Sequence, residues 1–227
     1  MKTVMGIVKT NFKQSTLAYF IAGGLMVAAI ANVIVSWALG NTGSMEIENF
    51  LYLLPILMAI FIPAGHFNKI MNLGGKRVDF FKACIINYVI VAFVVTGASL
   101  LIHLIATPLI GHFAYDDISL SLWTAFGFAN NNMAVAFFQK FSFLVLLMSL
   151  LHTLTLSQGR WYGWVANVLI VAIISVFTPI APLRAALVWF FNMIIFHSNA
   201  FVQIGFCLVL AAGIYTLSLI PTRDKRI

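Results

Sequence analysis

The chain has 227 residues, of which 62% are apolar and 8% are charged, and its mean hydropathy is +1.03. Soluble domains are roughly 45–50% apolar and about 25% charged. The composition therefore excludes a soluble globular domain, a disordered chain and a disulfide scaffold, and it indicates an all-α integral membrane protein. The net charge of +7 implies no nucleic acid, because basic residues beside a membrane match an anionic inner leaflet.

The first predicted element is a short amphipathic helix over residues 2–16. Val4, Ile7, Val8 and Phe12 recur at helical spacing, which would bury one face at the membrane interface. The alternative is a polar leader without regular structure.

Six apolar stretches follow, and each approaches the roughly 20 residues that a membrane-spanning helix needs. They cover residues 17–39, 50–64, 83–109, 134–156, 165–180 and 201–220. Between the last two, Pro179, Pro182 and Arg184 interrupt an apolar run over 179–198, which predicts a re-entrant or outer-leaflet segment. We therefore expect one transmembrane domain over 1–227, with six helices, an interfacial helix and an interrupted outer hairpin before the last helix.

The charges predict the orientation of these spans. With six spans, eleven of the 13 basic residues lie on one side, so the positive-inside rule places both termini in the cytoplasm. An odd number of spans would put one terminal basic cluster outside. No acidic residue lies inside a predicted span, which argues against an ion-coupled carrier. The charged residues expected on the outer side are Lys140, Arg184, Glu46, Glu48, Asp116 and Asp117.

The sequence contains none of the complete catalytic motifs compared below. Gly74-Gly75-Lys76 resembles the end of a phosphate-binding loop, but Ile70 and Arg77 stand where that motif needs glycine and Ser or Thr. The five histidines are scattered without a His-Glu-x-x-His pair, and no Gly-x-Ser-x-Gly motif occurs. We predict no catalytic residue, cofactor site or metal site in this chain, and hence no enzyme.

Neutral polar residues do occur within the predicted spans. They form hydrogen bonds between helices or, alternatively, line a pathway for a transported molecule. These candidate pathway residues are Asn32, Asn87, His103, His152, Asn167 and Gln203.

The connection over residues 65–82 is the largest predicted cytoplasmic loop, and it contains four basic residues. Residues 68–73 suit a helical turn, Gly74-Gly75 would end it, and Asp79 suits the start of the next helix. Such a compact knob suits docking to a soluble partner. A simple basic hairpin that only fixes topology is the alternative.

This loop resembles that of the membrane subunits of type-2 ABC transporters, where it often reads G-x-x-R-x-x-[FI]-[FY]. The matching residues are Gly74, Arg77, Phe80 and Phe81. The resemblance implies a coupling loop that docks on a separate ATPase, with the two phenylalanines as its apolar contacts and Lys76 and Arg77 as its polar rim. The residues it assigns to this loop are Asn72, Leu73, Gly74, Gly75, Lys76, Arg77, Asp79, Phe80, Phe81 and Lys82.

The same resemblance implies a short exporter permease in a bacterial cytoplasmic membrane. ATP and Mg would be bound by the partner ATPase, and a second permease, identical or related, would complete the pathway. Exported cargoes in this family include antimicrobial peptides, other peptides and drugs. The 21 phenylalanines and the few charges in the spans favour a hydrophobic or amphipathic cargo. The alternatives are a membrane scaffold or sensor that recruits a cytosolic partner and, third, an ion-coupled carrier.

Overall fold

A computed structural model describes residues 2–38, 47–110, 122–128, 131–158 and 160–224. These residues are almost entirely helical, and no strand occurs among them. The α-helices are α1 (Lys2–Gln14), α2 (Thr16–Ala38), α3 (Leu53–Phe61), α4 (Phe67–Asn72), α5 (Arg77–Ile110), α6 (Leu122–Ala125), α7 (Met133–Ser157), α8 (Trp161–Phe177), α9 (Ala181–Phe191), α10 (Ala200–Leu217) and α11 (Leu219–Asp224).

Among the described residues, four helical stretches are long and apolar enough to cross a membrane: Glu48–Asn72, Arg77–Leu104, Met133–Ser157 and Ala200–Pro221. Two bent helix pairs raise the number to six if each pair is one span. The all-helical fold is therefore confirmed, as is the presence of four to six helices long and apolar enough to cross a membrane, while the number of six spans stays a prediction. Of the charged residues used for orientation, Glu46, Asp116, Asp117, Lys225 and Arg226 lie outside the described residues.

The second apolar stretch is longer than predicted. A 3₁₀ turn (Ile47–Tyr52) leads into α3, and a π turn (Ile62–His66) leads into α4. Pro63 lies in that π turn, where it lacks the N–H that an α-helix would use, so the helix widens rather than ends. The predicted loop over 65–82 is accordingly helical at both ends, and only residues 73–76 form the turn between α4 and α5.

Helix α7 lies at the centre of the bundle. It packs against α10, α5 and α3, and its side chains Leu144, Met148 and Leu156 are buried in the main apolar core. Because α5 and α10 also meet α7, polar side chains on these three helices can contact one another away from lipid.

The amphipathic helix α1 packs against α5. Ile7 and Val8 are buried in the main core, with Val4 and Phe12 packed against it. The predicted apolar face therefore contacts protein, and Met5 and Lys9 lie on the exposed side.

The segment over 179–198 is helical. Helices α8 and α9 meet at a bend of 118°, and Pro182 lies in the first turn of α9, where its missing N–H is not needed. Almost all side chains of both helices are exposed. Re-entry of this segment into the outer leaflet stays a prediction.

Candidate functional site

The turn between α4 and α5 has a backbone that only glycine fits. Gly74 has φ +80°, a conformation that glycine adopts without strain at the end of a helix. The N–H of Gly75 donates to the Ile70 carbonyl at 3.0 Å. A Cβ on Gly75 would lie 2.6 Å from Ile70 Cγ2 and 2.8 Å from the Ile70 carbonyl oxygen. The two glycines thus hold α4 and α5 in one tight, fixed arrangement.

This turn presents both apolar and basic side chains to its surroundings. Leu73 is 82% exposed and Val78 is 56% exposed. Lys76 and Lys82 are also exposed, while Arg77 is half-buried. An exposed leucine within a basic rim on a fixed backbone is a surface suited to a partner protein with an acidic edge.

The two phenylalanines do not belong to this surface. Phe80 is buried, with its ring centroid 5.3 Å from that of Phe67. The ring of Phe81 lies 4.3 Å from that of Tyr215, whose hydroxyl donates to the Phe81 carbonyl at 2.7 Å. Phe80 is therefore not exposed at this surface in this conformation and Phe81 is partly buried, while their role as docking contacts stays a prediction. Helix α5 begins at Arg77, so both rings lie in its first turns and pack against neighbouring helices.

Helix α1 contacts the π turn that precedes α4. Asn11 Oδ1 lies 3.2 Å from His66 Nδ1, and both side chains are buried. This contact joins α1 to the π turn that precedes α4. Movement of the turn would therefore be transmitted to α1 as well as to α5.

The six candidate pathway residues do not converge on one site. Asn32 is exposed, and His103 and Asn167 are partly exposed. Asn87, His152 and Gln203 are buried inside the bundle. No common pathway lining is thus formed by these six residues in this conformation.

Two of the buried residues form contacts between helices. His152 Nδ1 lies 2.6 Å from the Tyr88 hydroxyl, and its ring stacks 5.0 Å from that of Tyr215. Gln203 accepts a hydrogen bond from Gln139 at 2.6 Å and donates to the Ile194 carbonyl at 2.8 Å. For these two residues, the interpretation as hydrogen-bonded contacts between helices fits the geometry.

Asn87 differs from them. Its side chain is fully buried, and neither its oxygen nor its nitrogen has a hydrogen-bond partner among the described residues. A buried amide without a partner is costly, so this position is a weak point of the bundle.

A buried charged cluster lies farther along the bundle, where Glu48, predicted to lie just outside a span, approaches Lys140, which lies near the outer end of the span predicted over 134–156. Glu48 and Lys140 are 1% and 0% exposed. Lys140 Nζ donates to Ser99 Oγ, and Ser99 Oγ donates to a Glu48 carboxylate oxygen at 3.3 Å. Lys140 Nζ also lies 4.5 Å from the centre of the Tyr52 ring. We call Glu48, Ser99, Lys140 and Tyr52 the charged cluster.

The charged cluster corrects one premise of the sequence analysis. Glu48 is the first residue of the stretch Glu48–Asn72, and Lys140 lies within Met133–Ser157. Both stretches are long and apolar enough to span a membrane, so an acidic residue does lie within such a segment. The only sequence signal for it was the position of Glu48 directly before an apolar run.

Comparison with protein-family models, with curated proteins and with solved structures found no match to this chain.

Proposed function

We propose that this chain is the membrane-spanning permease subunit of an ATP-driven exporter similar to type-2 ABC transporters. It would hydrolyse no ATP itself, and a separate ATPase would dock on the turn between α4 and α5. The observation that carries the proposal is the fixed turn at Gly74 and Gly75, with Leu73 exposed inside a basic rim. A hairpin that only fixes topology would need the charges but not the exposed Leu73.

The turn is well placed to transmit movement of a docked ATPase. Helix α5 begins at Arg77 and continues for 34 residues, a length of about 51 Å at 1.5 Å per residue. Displacement of its first turn would move the whole helix against α7. ATP can drive such a change only if the ATPase binds two states of the permease with different affinity.

The proposed orientation places both termini and this turn in the cytoplasm of a bacterial cell. A second copy of the chain, or a related permease, would complete the pathway with two ATPase subunits below. The 21 phenylalanines and the few charges in the predicted spans favour a hydrophobic or amphipathic cargo, such as a peptide or a drug.

Docking is tested by reversing the charge of the turn. Leu73→Ser combined with Lys76→Glu removes the exposed apolar contact and one rim charge, so we expect at least a roughly tenfold loss of co-purified ATPase, equivalent to about 1.4 kcal/mol. The chain is purified from native membranes, and bound proteins are identified and quantified by mass spectrometry. Lys9→Glu is the matched control, because Lys9 is an exposed lysine on α1.

Three outcomes would contradict the proposal. An ATPase retained equally by both variants would remove the turn as its docking site. A kinase or another regulator bound in place of an ATPase would favour the scaffold or sensor. Absence of any bound protein would count against both.

An ion-coupled carrier is the second candidate, and the charged cluster favours it. Ionisable residues inside membrane segments are costly and commonly serve ion or proton pathways. Gradient-driven uptake by the chain alone in liposomes, lost in Glu48→Gln, would support this candidate over the permease.

A further inference from the structure

The charged cluster lies far from the docking turn. Ser99 is 22 residues beyond Arg77 on α5, which is about 33 Å along the helix. Lys140 is 17 residues before Ser157 on α7, or about 26 Å. Because α5 and α7 are antiparallel here, the charged cluster lies toward the opposite end of the bundle from the turn.

Three separate elements meet in this cluster. Glu48 comes from the 3₁₀ turn before α3, Ser99 from α5 and Lys140 from α7. The adjacent residue Gln139 extends the connection to α10 through Gln203. Residues of α5, of α10 and of the 3₁₀ turn before α3 are therefore joined to α7 by buried polar contacts at one level of the bundle.

Described residues between α5 and α7 contact this level of the bundle. The N–H of Leu122 donates to Asn49 Oδ1 at 2.9 Å, and Asn131 Nδ2 donates to Gln139 Oε1 at 3.0 Å. Phe128 is fully buried and packs with Ala136, one turn from Lys140. Leu122, Phe128 and Asn131 thus contact the bundle close to the level of the charged cluster.

Stability alone does not account for a buried lysine and glutamate here. Apolar side chains of similar size often replace a buried ion pair without loss of stability, because the pair must first give up its hydration. The two charged groups regain this hydration when they separate and contact water. Opposite charges that are buried and linked through Ser99 therefore have two favourable states, closed and dry or open and hydrated, whereas an apolar contact favours only the closed one.

We propose that Glu48, Ser99 and Lys140 form a latch that closes the far end of the bundle and separates when the pathway opens there. In the open state the ammonium and the carboxylate face the pathway, where they would contact oppositely charged groups of an amphipathic cargo. The latch presupposes the pathway of the proposed function, but its test needs neither ATPase nor cargo, so the two can fail independently.

The test measures access to Ala136, which is fully buried beside the latch. Cys84 and Cys207 are first replaced by alanine, and Ala136→Cys is then introduced as the reporter. The rate of labelling by a charged maleimide is measured for the whole chain in lipid nanodiscs, where both faces are accessible. Ala83→Cys is the matched control, because Ala83 is equally buried on α5 near the docking turn.

Lys140→Met leaves the Glu48 carboxylate without its ammonium, so opening becomes more favourable and labelling of residue 136 should accelerate about tenfold. Glu48→Gln combined with Lys140→Met removes both charges and their gain of hydration on opening. In this double variant, labelling of residue 136 should slow about tenfold relative to the unsubstituted latch, while residue 83 stays protected throughout.

The double variant decides the outcome even if the single variant folds poorly. Labelling of residue 136 at an unchanged rate in the double variant would overturn the latch and leave the charged cluster as a packing contact. Equal acceleration at residues 136 and 83 would indicate general loosening and would overturn it too.

Discussion

The turn between α4 and α5 and the charged cluster differ in how their charged residues are placed. At the turn, Lys76 and Lys82 are exposed on a backbone fixed by two glycines. In the charged cluster, Glu48 and Lys140 are buried, and three elements hold them in place. Exposed charges contribute little to stability, whereas buried ones depend on their partners. The first region should therefore govern partner binding, and the second should govern the conformation of the bundle.

The largest effect on stability is expected from Lys140→Met. Lys140 and Glu48 are both buried and are linked through Ser99. Removing one of these charges is expected to cost up to about 3–5 kcal/mol, the loss typical of a buried ion pair, because the Glu48 carboxylate stays buried. The free energy of unfolding is measured by denaturant titration in mixed micelles. Lys76→Met is the matched control and should change it by less than about 0.5 kcal/mol, as is usual for an exposed position. Equal losses of unfolding free energy in the two variants would show that the charged cluster is no more important for stability than the turn.

The backbone of the turn gives the next largest effect. In Gly75→Ala the new Cβ would meet the Ile70 side chain and carbonyl oxygen, so the turn must shift, at an expected loss of about 1–3 kcal/mol. Gly65→Ala is the control, since a Cβ there meets nothing within 4 Å, and alanine is the better helix former by about 1 kcal/mol. Both variants are compared by the same titration.

If Gly75→Ala lowered the free energy of unfolding no more than Gly65→Ala, the backbone at Gly75 would not be constrained by Ile70. The difference in burial between the charges of the two regions would still hold after such a result. The backbone of the turn could then no longer support the docking proposal. The two glycine variants thus separate the backbone of the turn from its side chains.

The sequence predicted the elements better than their contacts. Helix α7 spans Met133–Ser157 where 134–156 was expected, and Gly74 and Gly75 end α4 as expected, because hydropathy and glycine act locally. Burial of Glu48 could not be predicted in this way. Its partner Ser99 lies 51 residues away, and Lys140 lies 41 residues beyond Ser99.

The burial of Phe80 was missed for a related reason. Asp79 predicts a helix start near the end of the loop, and α5 begins at Arg77, but the ring of Phe80 packs against that of Phe67. Hydropathy does not predict this contact between side chains that are 13 residues apart.

The smallest effect is expected between the two regions, at Tyr88. Its hydroxyl is 2.6 Å from His152 Nδ1, and His152 Nε2 has no partner within the part of the chain that the structure describes. Tyr88→Phe would leave both ring nitrogens without a protein partner, at a cost of about 1 kcal/mol. Tyr52→Phe is the matched control, because the Tyr52 hydroxyl is buried and makes no hydrogen bond to any described residue. It keeps the ring beside Lys140 and should change the free energy of unfolding by less than about 0.5 kcal/mol, or raise it. If Tyr52→Phe proved the more harmful of the two, its hydroxyl would have to take part in the charged cluster, and the latch would then have a fourth polar member.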